Sequence, residues 1–312
     1  MTSREHLLDE LRPVSFAIAY RMLGSVSEAE DIVQESLLRV HGALDAGEQI
    51  ASPHAFVATI TTRLAMDELR SARARRERYV GEWLPEPIIT DGRDDPARHA
   101  ETADSLSLAM LVLLESLSPE QRAVLLLRDV FDYGYAEIAS IVSKSEENTR
   151  QLAARARRHV AEGRPRFATT REQRDELARR FFAAAQQGDL AGLEALLAHD
   201  VELTGDGGGK APAARRPLRG RSRVARALVG WMGPADPLPG VSLRIVEVNG
   251  GPGALFLDDE DRVLGVCALD IADGRITAVN AVVNPDKLGH LGPVGDIVSL
   301  VREARRDGRG RP

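Results

Sequence analysis

The hydrophobic period of this chain changes once, near Gly163-Arg164-Pro165, and that change limits what it can fold into. Before it, apolar residues recur at the three- and four-residue spacing of helices. After it come two amphipathic helices and then apolar runs of strand length separated by turns. Residues 241–248, 262–271 and 275–283 are such runs, divided by Asn249-Gly250-Gly251-Pro252 and Ala272-Asp273-Gly274. The helical half is itself interrupted at Trp83-Leu84-Pro85-Glu86-Pro87. Two prolines one residue apart do not sit inside a helix, and Asp91, Gly92, Asp94, Asp95 and Pro96 continue the turn chemistry. The predicted order is a helical module over 1–80, an acidic linker over 81–104, a second helical module over 105–166, an α+β domain over 167–290 and a tail over 291–312. The Arg- and Gly-rich end, from Arg302, is expected to fray.

Charge is informative only by segment. Forty-seven acids against forty-one Lys and Arg give a net charge of -6, which as a total disfavours a polyanionic partner. Residues 63–78, however, carry six Arg against three acids, or +3, and residues 144–166 carry seven bases against three acids, or +4. Residues 80–115 between them carry eight acids against two Arg, or -6. Two basic helices bracket an acidic tether. Cys267, the single cysteine, excludes an internal disulfide framework and a multi-cysteine metal site. No apolar run approaches a membrane span and the N-terminus lacks a signal-peptide core, so a cytoplasmic protein without membrane contact is expected.

The second basic helix carries the stronger signal. A short helix over 135–142 ends at Ser143-Lys144-Ser145, and Ser145 then offers an N-cap ahead of Glu146 and Glu147. Thr149, Leu152, Ala153, Ala156 and Val160 form the buried stripe, leaving Arg150, Gln151, Arg155 and Arg158 on the other face. Helix, three-residue break and basic helix is helix-turn-helix grammar, although a solvated basic helix in an ordinary bundle fits the same spacing. The first basic helix, over 56–79, has Phe56, Ile60, Leu64 and Leu69 as apolar positions, with Arg63, Arg70, Arg73, Arg75 and Arg76 along or beyond it. Ser25 to Glu28 reads as a capping box. The helix it opens buries Ala29, Ile32, Val33, Leu37 and Val40 and turns Asp31, Gln34, Glu35, Leu38 and Arg39 outward.

These residues resemble a known family. Arg21-Met22-Leu23-Gly24-Ser25 and Ala29-Glu30-Asp31-Ile32-Val33-Gln34-Glu35-Ser36 are similar to region 2 of bacterial sigma factors of the extracytoplasmic-function (ECF) class. Leu117-Ser118-Pro119-Glu120-Gln121-Arg122, then Tyr135-Ala136-Glu137-Ile138-Ala139 and the basic helix, resemble region 4. Trp83 to Pro87, Asp206-Gly207-Gly208-Gly209-Lys210 and Asn284-Pro285-Asp286-Lys287-Leu288 resemble the signatures of the sigma-J-type group, which carries a fused SnoaL-like (NTF2-like) domain. The resemblance implies two all-α modules followed by an α+β cone. The implied protein directs core RNA polymerase to promoters, has no catalytic activity or cofactor, and is regulated in cis without a separate anti-sigma protein. Its partners are the polymerase core, through clamp helices and flap, and promoter DNA.

The resemblance also implies roles. Asp31, Gln34, Glu35, Leu38 and Arg39 fall on the polymerase-binding helix. Arg63, Asp67, Arg70 and Arg73 fall where the -10 element is read and opened, and many relatives have Asn where Arg63 stands. Arg150, Gln151, Arg155 and Arg158 fall where the -35 element is read, Arg suiting G and Gln suiting A. Trp83, Pro85, Pro87, Asp206, Lys210, Asn284, Asp286 and Lys287 fall in the regulatory contact between linker and third domain. Aromatic residues for holding unpaired bases are few, Phe56 and Tyr79.

In the third domain three helices against a curved antiparallel sheet predict a cone with a pocket. A ligand-sensing or enzymatic cone, of isomerase or hydrolase type, on a DNA-binding regulator is the alternative function. Acid–base chemistry there would need a His or carboxylate inside. His199 and His290 are poorly situated, leaving Asp206 and Lys210, for which a structural role on a Gly-rich turn is the competing explanation. Gly205 to Ala211 is too short between glycines for a phosphate loop and ends without Ser or Thr. No metal constellation is present.

Overall fold

The structure is a computed structural model that describes residues 3–76, 78–90, 106–163, 170–234, 238 and 240–308. The chain divides into two compact units, Met1–Arg78 with Met110–Arg164, and Tyr79–Ala109 with Pro165–Pro312.

The first unit is helical. Helices α1 (Ser3–Leu23), α2 (Val26–Asp45) and α3 (Pro53–Arg76) pack pairwise around Leu11, Val40 and Val57. Ser25 caps α2 by accepting the Glu28 backbone N–H at 3.2 Å. A buried hydroxyl chain joins all three helices: Ser15 Oγ lies 2.8 Å from Thr61 Oγ1, which reaches Ser36 Oγ at 3.1 Å. Next come α4 (Leu108–Glu115), α5 (Pro119–Asp129), α6 (Tyr135–Val142) and α7 (Glu146–Gly163). Ser118 and Gln121 close a reciprocal capping box on α5, and the chain breaks at Ser143, in left-handed conformation, between α6 and α7. Arg122 is wholly buried. It donates to the Arg21 carbonyl at 3.0 Å and to Glu115, while burial lowers its pKa to about 9. That still leaves it charged at neutral pH and therefore in need of these partners.

The second unit is built on a six-stranded sheet of β1 (Leu197–Asp206), β2 (Leu218–Arg219), β3 (Ser242–Val248), β4 (Gly251–Leu257), β5 (Val263–Ala272) and β6 (Arg275–Val282), in the order β2-β1-β6-β5-β4-β3. The sheet is mixed, not wholly antiparallel as expected, because β1 runs parallel to β6. The pattern of β1 hid it, since its exposed His199 and Asp200 interrupt the alternation just after a helix end. Helices α8 (Arg171–Gln187), α9 (Leu190–Leu196) and α10 (Arg221–Met232) cover one face, packing Phe181, Phe182, Leu193 and Val224 on Ala254, Cys267, Leu269 and Val279.

The opposite face is covered by Leu84, Leu108 and Leu288, set on Val248, Leu255, Val266 and Val282. Residues 81–90, expected as part of the linker, thus lie in the second unit as a cover for the sheet. Ile89 makes an antiparallel bridge with Val248, and Thr90 N–H donates to the Glu247 carbonyl at 2.9 Å. Residues expected to form a tail and fray instead form helix α11 (Ile297–Gly308). Ile297 packs with Leu264 and Val283, so apolar spacing prevails over an Arg-rich composition.

Candidate DNA-binding surfaces and the Asp206 node

On α7, Thr149, Ala153, Ala156 and Val160 are buried against the first unit, which leaves Arg150, Gln151, Arg155 and Arg158 together on the exposed face. Ser145 holds the start of the helix by accepting the Asn148 N–H at 3.2 Å. Arg150 is aimed by two neighbours, pairing with Glu146 and lying 4.5 Å over the Tyr135 ring. Arg157, by contrast, turns back to Asp129 and ties α7 to α5.

The α3 residues are in a different state. Arg63, Asp67 and Arg70 are exposed, and the Arg73 side chain lies outside the described residues. Arg63 donates to the Ser140 carbonyl at 2.9 Å and the Ile141 carbonyl at 3.0 Å, capping the negative end of α6. Arg70 bridges Asp67 at 2.5 Å and Glu120 at 2.8 Å. Burial opposes the charge on Glu120, but the Arg70 hydrogen bond, its own backbone N–H and the Arg70 and Lys144 charges together outweigh it and hold the carboxyl below its ordinary pKa. In this arrangement Arg63 is occupied by α6 and Arg70 by α5.

On α2, Asp31, Gln34, Leu38 and Arg39 are exposed and Glu35 is half-buried. Leu38 is 58% exposed, an apolar side chain of that size on an otherwise polar face. Arg39 pairs with Glu35 at 2.7 Å.

In the second unit one carboxylate organises the segment from Tyr79 to Pro87. Asp206 is fully buried at the end of β1. Its Oδ1 accepts from Tyr79 Oη and from Gly208 N–H at 3.1 Å; its Oδ2 accepts from Leu84 N–H at 2.8 Å and Lys287 Nζ at 2.7 Å. Lys287 also donates to the Leu84 carbonyl, and its ammonium lies 4.2 Å from the Trp83 ring centre and 4.9 Å from that of Tyr79. Asn284 donates to Tyr79 Oη at 2.7 Å and accepts from Asp286 N–H at 3.1 Å. Lys210 reaches Asp286 at 2.5 Å on the surface. Burial and the Asp206 carboxylate both push the Tyr79 hydroxyl far above its ordinary pKa, so it stays a donor. Gly208 must be glycine: its φ is +57°, and a Cβ there would lie 2.3 Å from Asn284 Nδ2.

A second clamp sits at the β3–β4 turn. Asn249, buried and with φ of 52°, exchanges hydrogen bonds with Ile88: its Oδ1 accepts the Ile88 N–H at 2.9 Å and its N–H donates to the Ile88 carbonyl at 2.8 Å. Its Nδ2 donates to the Leu106 carbonyl at 3.0 Å. One side chain therefore holds the chain on both sides of residues 91–105, where Asp91, Asp94 and Asp95 lie outside the described residues.

Two family profiles match the chain, Sigma-70 region 2 over residues 7–75 and Sigma-70, region 4 over residues 107–160. The ECF RNA polymerase sigma factor SigJ of Mycobacterium tuberculosis is 37% identical over 313 residues, spanning 97% of both chains. The chain belongs to the ECF sigma factors. A probable ECF sigma factor of the same organism, SigI, is 32% identical over 277 residues, covering 88% of this chain and 91% of its own. The crystal structure of M. tuberculosis SigJ superposes with a TM-score of 0.72 at 36% identity, over 90% of this chain and 98% of that one. As an ECF sigma factor the protein is a transcription-initiation factor and not an enzyme. Among its described residues no helix is long and apolar enough to cross a membrane.

The three sequence signatures of this sigma factor converge: Trp83-to-Pro87, Asp206-to-Lys210 and Asn284-to-Leu288 all meet at the Asp206 carboxylate. The expected ridge of Trp83, Pro85 and Pro87 works differently in detail. Leu84 enters the apolar core, Pro85 and Pro87 are buried beside it, and half-buried Trp83 faces the Lys287 cation. The roles of Tyr79, Leu84, Asn249 and His290 in these contacts escaped the sequence reading, and Tyr79, expected there among the aromatics for unpaired bases, instead donates to Asp206. His290, set aside as poorly situated for catalysis, lies 2.7 Å from the Pro87 carbonyl through Nε2. Only Tyr79 carried a local signal, as an aromatic just ahead of the proline pair.

Proposed function

We propose that this ECF sigma factor reads the -35 element with Arg150, Gln151, Arg155 and Arg158. In the same reading it engages the -10 element with Arg63, Asp67, Arg70 and Arg73, and binds core polymerase through Asp31, Gln34, Glu35, Leu38 and Arg39. Major-groove readout needs long donors on one helix face, and α7 meets that need with its apolar side already buried. The contacts of Arg63 and Arg70 with α5 and α6 must be exchanged for DNA contacts when the promoter is engaged.

The second unit acts in cis. The observation that carries this reading is the Asp206–Lys287 pair closing over Leu84, with Asn249 holding the chain at Ile88 and at Leu106. These bonds fix the ends of the only chain that joins the -10 module to the -35 module, so they set the separation of the two DNA-binding surfaces. A separate anti-sigma protein is not required. Run-off transcription with core polymerase, and no other protein, tests this. Trp83→Leu removes a cation–π contact worth about 0.5–2 kcal/mol and is expected to change promoter output at least about twofold. Asp286→Asn is expected to act in the same direction; output equal to the unsubstituted factor from both variants refutes regulation by the segment.

A further inference from the structure

Inside the cone of the second unit is a cavity of about 410 Å³, on the face of the sheet away from the Asp206 node. Its floor is made by Leu228, Leu264, Cys267, Val279 and Val283, all buried. Its rim carries Gln186, Trp231 and Ser242, all exposed, and Ile297 of α11 closes one side. None of the described residues lining it is charged. Burial pushes the Cys267 thiol up to about 12, so it too stays neutral. Among the described lining residues no side chain therefore exchanges a proton at neutral pH. What remains has the size and apolar character of a small-molecule site, with a few polar groups confined to the entrance.

We propose that this cavity binds an uncharged, largely apolar small molecule, its body against the Leu228–Val279 floor and its polar group at the rim beside Gln186 and Ser242. A carboxylate, phosphate or sulfonate would lose its hydration in the cavity with no cation to meet it, so the site rejects anions of the same shape. Trp231 offers a ring face to a flat ligand at the entrance. Because Ile297 is part of the wall, occupancy also favours the docked form of α11. Use of the site as a regulatory input rests on the cis-regulatory reading above, whereas binding does not.

The test uses the full chain without polymerase, so that the two fail separately. N-phenyl-1-naphthylamine, which is neutral, is titrated against its sulfonated counterpart 1-anilinonaphthalene-8-sulfonate. Saturable binding of the neutral probe with one site per chain is expected, at least tenfold tighter than the anion. Ala281→Phe and Ala227→Phe, which fill the cavity, are expected to abolish it while far-ultraviolet circular dichroism is retained. Should neither variant fold, amide exchange on the unsubstituted chain decides: the probe is expected to slow exchange within 264–267, 279–283 and 297–300 and not at the exposed turn around Asp273. Non-saturable binding, equal affinity for the anion, or binding that survives both fillings in folded protein overturns the proposal.

Discussion

Asp206 carries four donors on two oxygens in a place from which water is excluded. Its value lies in what its loss would take away: the carboxylate to which the buried Leu84 N–H, the Lys287 ammonium and the Tyr79 hydroxyl all donate. Asp206→Ala is expected to cost about 3–5 kcal/mol of unfolding free energy in the second unit, measured by urea denaturation. Asp270 behaves oppositely. It is held by Asn280 at 2.8 Å, but burial raises its pKa to about 6, which the hydrogen bonds only partly offset. A carboxyl with a raised folded-state pKa stabilises the fold fully below its unfolded value, near pH 4, and loses that contribution as pH rises through about 6. Asp270→Asn is therefore expected to stabilise the chain by about 1–3 kcal/mol at pH 7.5 and to leave it unchanged near pH 4, read from thermal midpoints at both pH values.

At the scale of elements, the turn between β3 and β4 does more than reverse the chain. Asn249 takes a left-handed conformation and spends its side chain on Ile88 and Leu106. Asn249→Gly keeps the turn geometry while deleting the clamp, so it separates the two roles. Faster amide exchange at Ile88 is expected, corresponding to about 1–3 kcal/mol of lost protection, with β3–β4 pairing intact. Helices α2, α5, α6, α7 and α8 were legible from a 3.6-residue stripe with a start or stop: Ser25, Ser118, the Ser143 break and Gly188. The exposed faces of α2 and α7 follow from the same stripes. Strand β1 was not legible, since its partner β6 lies far along the chain and its polar residues obscure the alternation. The Asn249 clamp was invisible for a related reason, because an Asn-Gly turn looks complete without the distant carbonyls its side chain reaches.

The whole molecule explains why its net charge misleads. The basic helices α3 and α7 lie in the first unit, while most of the acids between them belong to the Tyr79–Ala109 stretch of the second. The total conceals that separation. The roles of Tyr79, Leu84 and Lys287 belong to this scale too, since each bonds a group more than a hundred residues away. The most direct test of the account is promoter-directed run-off transcription by core polymerase with the full-length chain and with its Arg150→Ala, Gln151→Ala double variant. Each base contact is worth about 1–3 kcal/mol. The account predicts a discrete transcript from the unsubstituted factor and a loss of tenfold or more from the variant, with co-purification of core polymerase unchanged. Undiminished promoter-specific transcript from the variant would contradict it.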